Sequence, residues 1–386
     1  MKQKNILFNN QKRKSTLFAI GPMSKNCVDA SIEVANKTNV PIMLIASRRQ
    51  IDSKIFGGGY VNNWTTKEFS KYVKKKDKKK KIILCRDHGG PFQNNLETEK
   101  SFSEKNAMNS AKKSFEEDIV SNFKIIHIDT SIGNNEKITF RKSLKRLFEL
   151  YDHCWRFAKR NGKKIFFEIG TEEQSGTTNS IKELKQTLSA VSKFCSKKKI
   201  PKPLFVVIQT GTLVKEMRNV GSFATAIRDD KSLPPEIHLP MMIGICDKFN
   251  VMMKEHNADY LSKDALKWHP RLGIQAINVA PEFGVIETKK ILEVFRKYNL
   301  NKLSKRFLEL SFKSKKWKKW LVKNSKISKK DKAIISGHYV FSTNEFKALK
   351  REANTVLKKK NINIDTLIKG ELKKKIYEYL YCLKVI

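Results

Sequence analysis

Nowhere in the 386 residues does an uncharged apolar run reach the roughly 18 residues that a bilayer-spanning helix needs, which excludes a helical membrane span. No C-x-x-C pair occurs. The six cysteines, at 27, 85, 154, 195, 246 and 382, are scattered, which argues against a zinc finger or a disulfide framework and for buried free thiols. With 17 glycines and 10 prolines the chain is neither collagen-like nor of low complexity. The opening Met1-Lys2-Gln3-Lys4-Asn5 is basic, but no apolar signal segment or small-residue cleavage site follows it, so a cytoplasmic protein is expected. A Walker A motif is missing too. Gly57-Gly58-Gly59 is not followed by Lys-Ser/Thr, so kinase chemistry of that kind finds no support, and the triplet reads as a flexible loop.

Acidic residues are comparatively few: 79 Lys+Arg against 38 Asp+Glu give a formal net charge of +41 and a pI near 9.9. Taken alone, that balance suggests a nucleic-acid binder. The excess is nearly all lysine and is spread along the chain, however, while arginine, the usual base reader and bidentate phosphate ligand, is scarce. Solvated surface lysine is therefore the favoured reading, and nucleic acid is not an expected partner. The run Lys74 to Lys81 reads as an exposed loop before a strand. Lys313 to Trp320 (KSKKWKKW), which interleaves aromatics with charge, is the segment that best suits a nucleic-acid interface.

Short, nearly continuous apolar segments recur: Phe18–Pro22, Pro41–Ser47, Ile82–Cys85, Lys124–Asp129, Lys164–Gly170, Pro203–Gln209, Val251–His256 and Ile274–Val279. Such segments are expected of strands buried on both faces of a parallel sheet. Helical patterns lie between them. Thr65-Thr66-Lys67-Glu68 is a capping box opening a helix over Glu68–Val73. Leu144, Leu147, Phe148, Tyr151 and Trp155 share one helical face with Gly162 beyond them, and Ile181, Leu184, Leu188, Val191 and Phe194 repeat the pattern. Eight alternations over about 280 residues predict an α/β protein, a closed (β/α)8 TIM barrel, rather than an open doubly wound sheet, since no G-x-G-x-x-G follows the first strand. The expected organisation is a basic segment over 1–16, the barrel over 17–300 and a mainly helical, Lys-rich extension over 301–386.

In such barrels the chemistry collects at the C-terminal ends of the strands. The unusual polar residues of this chain fall there: Arg48 and Arg49, Arg86-Asp87-His88-Gly89-Gly90-Pro91, Asp129, Glu168, Gln209, Glu255-His256-Asn257, and Asn278 with Glu282. One histidine after one strand usually signals only a hydrogen-bonded residue. His88, Glu168 and His256 on three strands of one barrel would converge, and two imidazoles with a carboxylate suit zinc or a similar divalent ion. Asp87 would then stand where a proton is transferred. Adjacent residues of a regular strand point to opposite sides, so Asp87 and His88 share the mouth only if the strand is already turning, as Gly89-Gly90-Pro91 suggests.

These motifs resemble the class II (metal-dependent) sugar-bisphosphate aldolases, and more closely the tagatose-bisphosphate aldolase subunit called non-catalytic, once described as a tagatose 6-phosphate kinase. The resemblance runs from about Ile20 to Leu383. It rests on Met43-Leu-Ile-Ala-Ser, Gly58-Gly59-Tyr60, Ile83-Leu-Cys-Arg-Asp-His-Gly-Gly-Pro, Ile126-His-Ile-Asp, Glu168-Ile-Gly-Thr-Glu, Lys254-Glu-His-Asn-Ala-Asp-Tyr, Gly273-Ile-Gln-Ala-Ile-Asn-Val-Ala-Pro-Glu-Phe and Ser336-Gly-His-Tyr-Val. It implies that Asp87 transfers the proton, that His88 and His256 bind a divalent metal, zinc by preference, and that Asn278 contacts the phosphorylated ketose. Arg48, Asp129 and Glu282 are further candidates for binding substrate. Two departures stand out. Gln209-Thr210-Gly211-Thr212 occupies the place of a third metal histidine, leaving Gln209 as a poor substitute beside Glu168, and Asn257-Ala258-Asp259-Tyr260 replaces a Gly/Ser-rich phosphate loop.

Three functions follow from these observations: an aldolase acting on a phosphorylated ketose such as tagatose 1,6-bisphosphate, an accessory subunit stabilising a separate catalytic class II aldolase, and a basic nucleic-acid-associated protein. An oligomer is expected.

Overall fold

The computed structural model describes residues 14–133, 138–170, 180–223 and 235–386. Its barrel begins with β1 (Leu17–Ile20), α1 (Lys25–Thr38), β2 (Ile42–Ser47), α2 (Thr66–Lys76) and β3 (Ile82–Gly89). It continues with α3 (Asn95–Glu99), α4 (Glu104–Val120), β4 (Ile125–Asp129), α5 (Phe140–Arg160), β5 (Phe166–Gly170), α6 (Ile181–Lys198) and β6 (Phe205–Ile208). A two-stranded hairpin, β7 (Val214–Lys215) with β8 (Arg218–Asn219), precedes α7 (Pro235–Lys248), β9 (Met252–Glu255), α8 (Lys263–Leu272), β10 (Ala276–Val279) and α9 (Pro281–Lys297). The closed barrel runs in the order β1-β10-β9-β6-β5-β4-β3-β2, every pairing parallel. This is the (β/α)8 barrel that the sequence predicts, and the eight expected apolar segments are its eight strands.

Alternation along each strand divides the core in two. Leu17, Ala19, Met43, Ile45, Cys85 and Phe205 meet inside the barrel, whereas Phe18, Ile20, Ile42 and Leu44 face the surrounding helices. The ring closes where Leu17 pairs with Ala276 and Ile20 with Val279. The capping box on α2 is formed: Thr65 Oγ1 accepts the Glu68 N–H, and Glu68 Oε2 accepts the Thr65 N–H at 2.9 Å. The helix is longer than expected because Lys74, Lys75 and Lys76 form its last turn, where cations complement the helix dipole. Gly162, at φ 62°, follows the Asn161 cap of α5. All six cysteines are buried free thiols.

After the barrel come α10 (Asn301–Lys313), α11 (Lys329–Ser336), α12 (Asn344–Lys358) and α13 (Ile364–Cys382). They share one apolar core with the barrel helices through residues such as Phe307, Leu349 and Ile376. Tyr379 of α13 stacks on Phe18 of β1 with ring centroids 4.8 Å apart, and Thr16 donates its N–H to the Leu383 carbonyl at 3.0 Å. Among the described residues no helix is long and apolar enough to cross a membrane.

Candidate metal centre

The end of β3 is not a regular strand. Its pairing with β4 shifts register between Arg86 and Gly89, His88 takes a left-handed φ of 41°, and Gly90 follows at φ 152°. A side chain at Gly90 would run into the Asp129 carbonyl, so only glycine lets the chain turn so close to β4. This turn breaks the alternation that would separate neighbours, and Asp87 and His88 both line the cleft at the barrel mouth.

Below them four side chains converge. Asp87, His127 and Glu168, on β3, β4 and β5, and His256, just past β9, each offer a ligand atom within 4.8 Å of the others. Glu168 Oε1 lies 3.1 Å from His256 Nε2 and 3.6 Å from His127 Nδ1, and Asp87 Oδ1 lies 3.9 and 3.8 Å from the same two nitrogens. The other Glu168 oxygen is 2.6 Å from Lys254 Nζ. His127 Nδ1 also accepts the His88 backbone N–H at 3.2 Å, and an ion bound at that nitrogen would compete for the same lone pair. Two buried polar atoms beside the group, His127 Nε2 and Asn278 Oδ1, have no protein partner.

The electrostatics prepare these groups as ligands. Burial opposes charge on Asp87, yet the rings of His88, His127 and His256 hold its carboxyl well below the usual range. Burial likewise opposes charge on Glu168, and Lys254 together with the same two buried imidazoles keeps it ionised. His256 is driven down to about 4 by burial, which leaves a neutral imidazole at neutral pH, and its Nε2, facing the ionised Glu168 Oε1, carries the ring proton that a bound ion would replace. His88 behaves in the opposite sense. Burial lowers it, but Asp87 and Asp129 raise it to about 9, and its Nδ1 is 2.6 Å from Asp129 Oδ2.

The residues singled out in the sequence thus occupy different places. Glu168 and His256 meet, with Asp87 against them. His88 stands at the rim, its ring 5.0 Å from that of His256, but outside the four-residue group and turned toward Asp129. Asp129 serves as the anchor of His88 and of Gln93, whose Nε2 donates to it at 2.9 Å. Asn278 donates from Nδ2 to Asp87 Oδ1 at 3.2 Å and lines the cleft. Gln209 is buried just past β6 and is not among the cleft-lining residues.

Two of the residues expected to contact substrate are engaged by other protein groups. Arg48 does border the cleft, but its guanidinium is fully engaged in the wall: it donates to Asp52, Glu97, Ser110 and the Gly90 carbonyl, and it is 1% exposed. Glu282 is not among the cleft-lining residues. It accepts the Tyr260 N–H and the Tyr379 hydroxyl and pairs with Lys375, so it ties α13 to the barrel. The expected flexible loop at Gly57–Gly59 is a bonded turn, with Gly58 N–H on the Ser53 carbonyl and Gly59 N–H on that of Trp64. Thr171, Glu172 and Glu173 of the fifth strand-end motif, and the basic segment before residue 14, lie outside the described residues.

Sequence reasoning missed His127 and Lys254. His127 sits in the apolar run of β4 two residues before Asp129, and period-two alternation puts both on the inward face. Lys254 is a charge inside an otherwise buried strand, Met-Met-Lys-Glu, and that oddity was the signal.

The cleft above the group holds about 1100 Å³ and is walled by both parts of the chain: Arg49, Tyr60 and Asn94 on the barrel side, and Lys313, Lys316, Lys319, Trp320 and Tyr339 from the extension. The turn after β9 presents Asn257 and Asp259, and Asp259 Oδ1 accepts the N–H groups of Ala280 and Glu282 at the start of α9.

Solved structures share this architecture. A probable tagatose 6 phosphate kinase from Sinorhizobium meliloti 1021 superposes with a TM-score of 0.74 at 15% identity, covering 95% of this chain and 100% of its own. A fructose-bisphosphate aldolase from Campylobacter jejuni gives 0.58 at 13% identity, covering 100% and 94%. The fructuronate-tagaturonate epimerase of Cohnella laeviribosi gives 0.54 at 11%, covering 96% and 82%. At these identities the likeness concerns the fold. No curated protein matches the sequence. Residues 3–197 match the family described as D-tagatose-1,6-bisphosphate aldolase subunit GatZ/KbaZ-like, and with half of its length so matched the chain belongs to that family, an aldolase-like group of sugar metabolism.

Proposed function

We propose that the chain is a metal-dependent aldolase that cleaves and forms a carbon–carbon bond in a phosphorylated ketose such as tagatose 1,6-bisphosphate. The observation that carries this reading is the convergence of Asp87, His127, Glu168 and His256 beneath a cleft large enough for a sugar phosphate. Two imidazoles with a carboxylate are a donor set suited to zinc, and the unpartnered Asn278 Oδ1 leaves polar capacity beside the group. His127, Glu168 and His256 would hold the ion, which when bound would supply Lewis-acid polarisation of the ketose carbonyl, with Asp87 beside them. Asp87 carries a proton to or from the aldehyde oxygen, and Asn278 orients it by donating from Nδ2 to Asp87 Oδ1. His88, fixed by Asp129, is the ring at the rim nearest to incoming substrate.

Metal content of the purified protein and aldol cleavage by wild type and His256→Ala test the reading. Bound zinc with turnover lost in the variant is the expected result. A metal-free protein, or equal rates in both, overturns it.

A second reading is supported by the word subunit in the family description and by Gln209 standing where a third histidine is expected: the barrel serves as an accessory that stabilises a separate catalytic class II aldolase. Co-purification with such an enzyme, and no turnover by this chain alone, favours that role.

A further inference from the structure

We propose that the lysine-bearing segment from the end of α10 onward, with Arg49 on the barrel side of the same cleft, forms the phosphate-binding wall of the substrate site, so that the ligand is a sugar carrying phosphate on an end remote from the reacting carbons. The inference rests on the sugar-phosphate reading of the cleft and assigns the part of it that the replaced phosphate loop leaves without residues.

The turn after β9 presents Asn257 and the carboxyl of Asp259 and has no cation of its own. Charge comes instead from the extension. Lys313, Lys316 and Lys319 line the same cleft as Asp87 and His256, and Arg49 lines it from the barrel. None of these four has an ion pair among the described residues, whereas the neighbouring Arg48 is saturated by Asp52 and Glu97. Asp87, Glu99, Asp259 and Glu345 also line the cleft, so the inference rests on the placement of the unpaired cations together on one wall and not on their number.

The wall is held in place. Trp317 stacks on Phe312 at 5.3 Å and donates its Nε1–H to the Phe312 carbonyl at 2.9 Å. Trp320 donates to the Tyr339 hydroxyl at 3.2 Å, and its carbonyl accepts the Glu216 N–H at 2.9 Å, which fastens the segment to the β7–β8 turn. Lys319 Nζ lies over the rings of Trp320 and Tyr339, at 4.7 and 5.4 Å. The tryptophans of the KSKKWKKW run are therefore structural anchors with their indole N–H groups committed, and not free platforms for bases. They aim lysines at one cleft, where a doubly charged phosphate meets several ammonium groups already in position.

The test is calorimetric titration of the full chain with tagatose 1,6-bisphosphate, using tagatose as the uncharged control, on metal-stripped and zinc-loaded protein. Lys316→Gln with Lys319→Gln, and separately Arg49→Gln, are expected to weaken bisphosphate binding by roughly ten-fold or more, the size of a lost charge-assisted contact. Lys358→Gln with Lys359→Gln, exposed at the C-terminal end of α12 and not among the cleft-lining residues, should bind as wild type does. Bisphosphate affinity that is unchanged in the cleft variants, or lowered equally in the α12 variant, overturns the proposal. Lysine-dependent binding that ignores zinc upholds the wall while counting against the metal chemistry. Zinc binding with lysine-independent affinity does the reverse.

Discussion

Lys254 Nζ lies 2.6 Å from Glu168 Oε2, and both side chains are sealed inside the barrel, at most 1% exposed. The two residues sit on β5 and β9 with β6 between them, and Lys254 also lies 5.7 Å from the Phe205 ring on that middle strand. Removing one member leaves the other charge buried and unpaired. Lys254→Met is therefore expected to destabilise the protein by about 3–5 kcal/mol, and Lys254→Met with Glu168→Gln to recover most of the loss, as read by denaturant melts. Equal stability of Lys254→Met and wild type would show that water reaches the pair.

Metal affinity should separate the three histidines at the mouth. His127→Ala and His256→Ala remove donors of the four-residue group and are expected to cost more than the roughly 10- to 100-fold typical of an outer-sphere partner. His88→Ala, whose Nδ1 is already engaged by Asp129, should fall within that range. Competition titration with a zinc chelator gives the ranking, and a larger effect at His88 than at His127 would restore the ligand set expected from sequence.

Gly170 fixes the place of the His127 ring. A Cβ there would approach Nε2 to 2.7 Å, closer than side-chain carbons come to other atoms. Gly170→Ala should displace the imidazole, lowering zinc affinity while leaving a melt that shifts by only about 1–3 kcal/mol, as overpacking does. Histidine NMR shifts that are unchanged in the variant would contradict this.

Asp259 contributes a separable part of the pH dependence of stability, beside those of His88 and His256. Burial and the neighbouring Glu282 raise its carboxyl to about 8, so the folded protein keeps a proton that the unfolded chain releases near the ordinary aspartate value of about 4. Between those values the native state binds more protons, so stability falls as pH rises, by up to about 1.4 kcal/mol per pH unit for one group. Asp259→Asn retains an oxygen for the Ala280 and Glu282 N–H groups and should flatten this slope. Melting temperatures at pH 5 to 8 provide the measurement.

The barrel was legible in the sequence because strands covered on both faces leave near-continuous apolar runs, and all eight were of that kind. The β7–β8 hairpin was not, since two-residue strands carry no period. At the site, Glu168 and His256 stood out as polar residues at strand ends. His127 did not, because its neighbours Ile126 and Ile128 made the segment read as core. Arg48 and Arg49 could not be told apart, because which of two adjacent arginines is buried depends on Asp52 and on Glu97, 49 residues away in sequence. The union of Glu168 with Lys254 is a matter of strand register, which no local pattern reports.

The pairing of β1 with β10 joins residues 17–20 to residues 276–279, and Tyr379 then stacks on Phe18 from behind. On the ribosome the first strand must therefore wait, one edge unpaired, until nearly three-quarters of the chain has been made. The donors at 87, 127, 168 and 256 all emerge before that moment, and the lysine wall after it. A cell that slows synthesis or strips metal during this interval would lengthen the exposure of an open sheet edge, the state most prone to pairing with another chain.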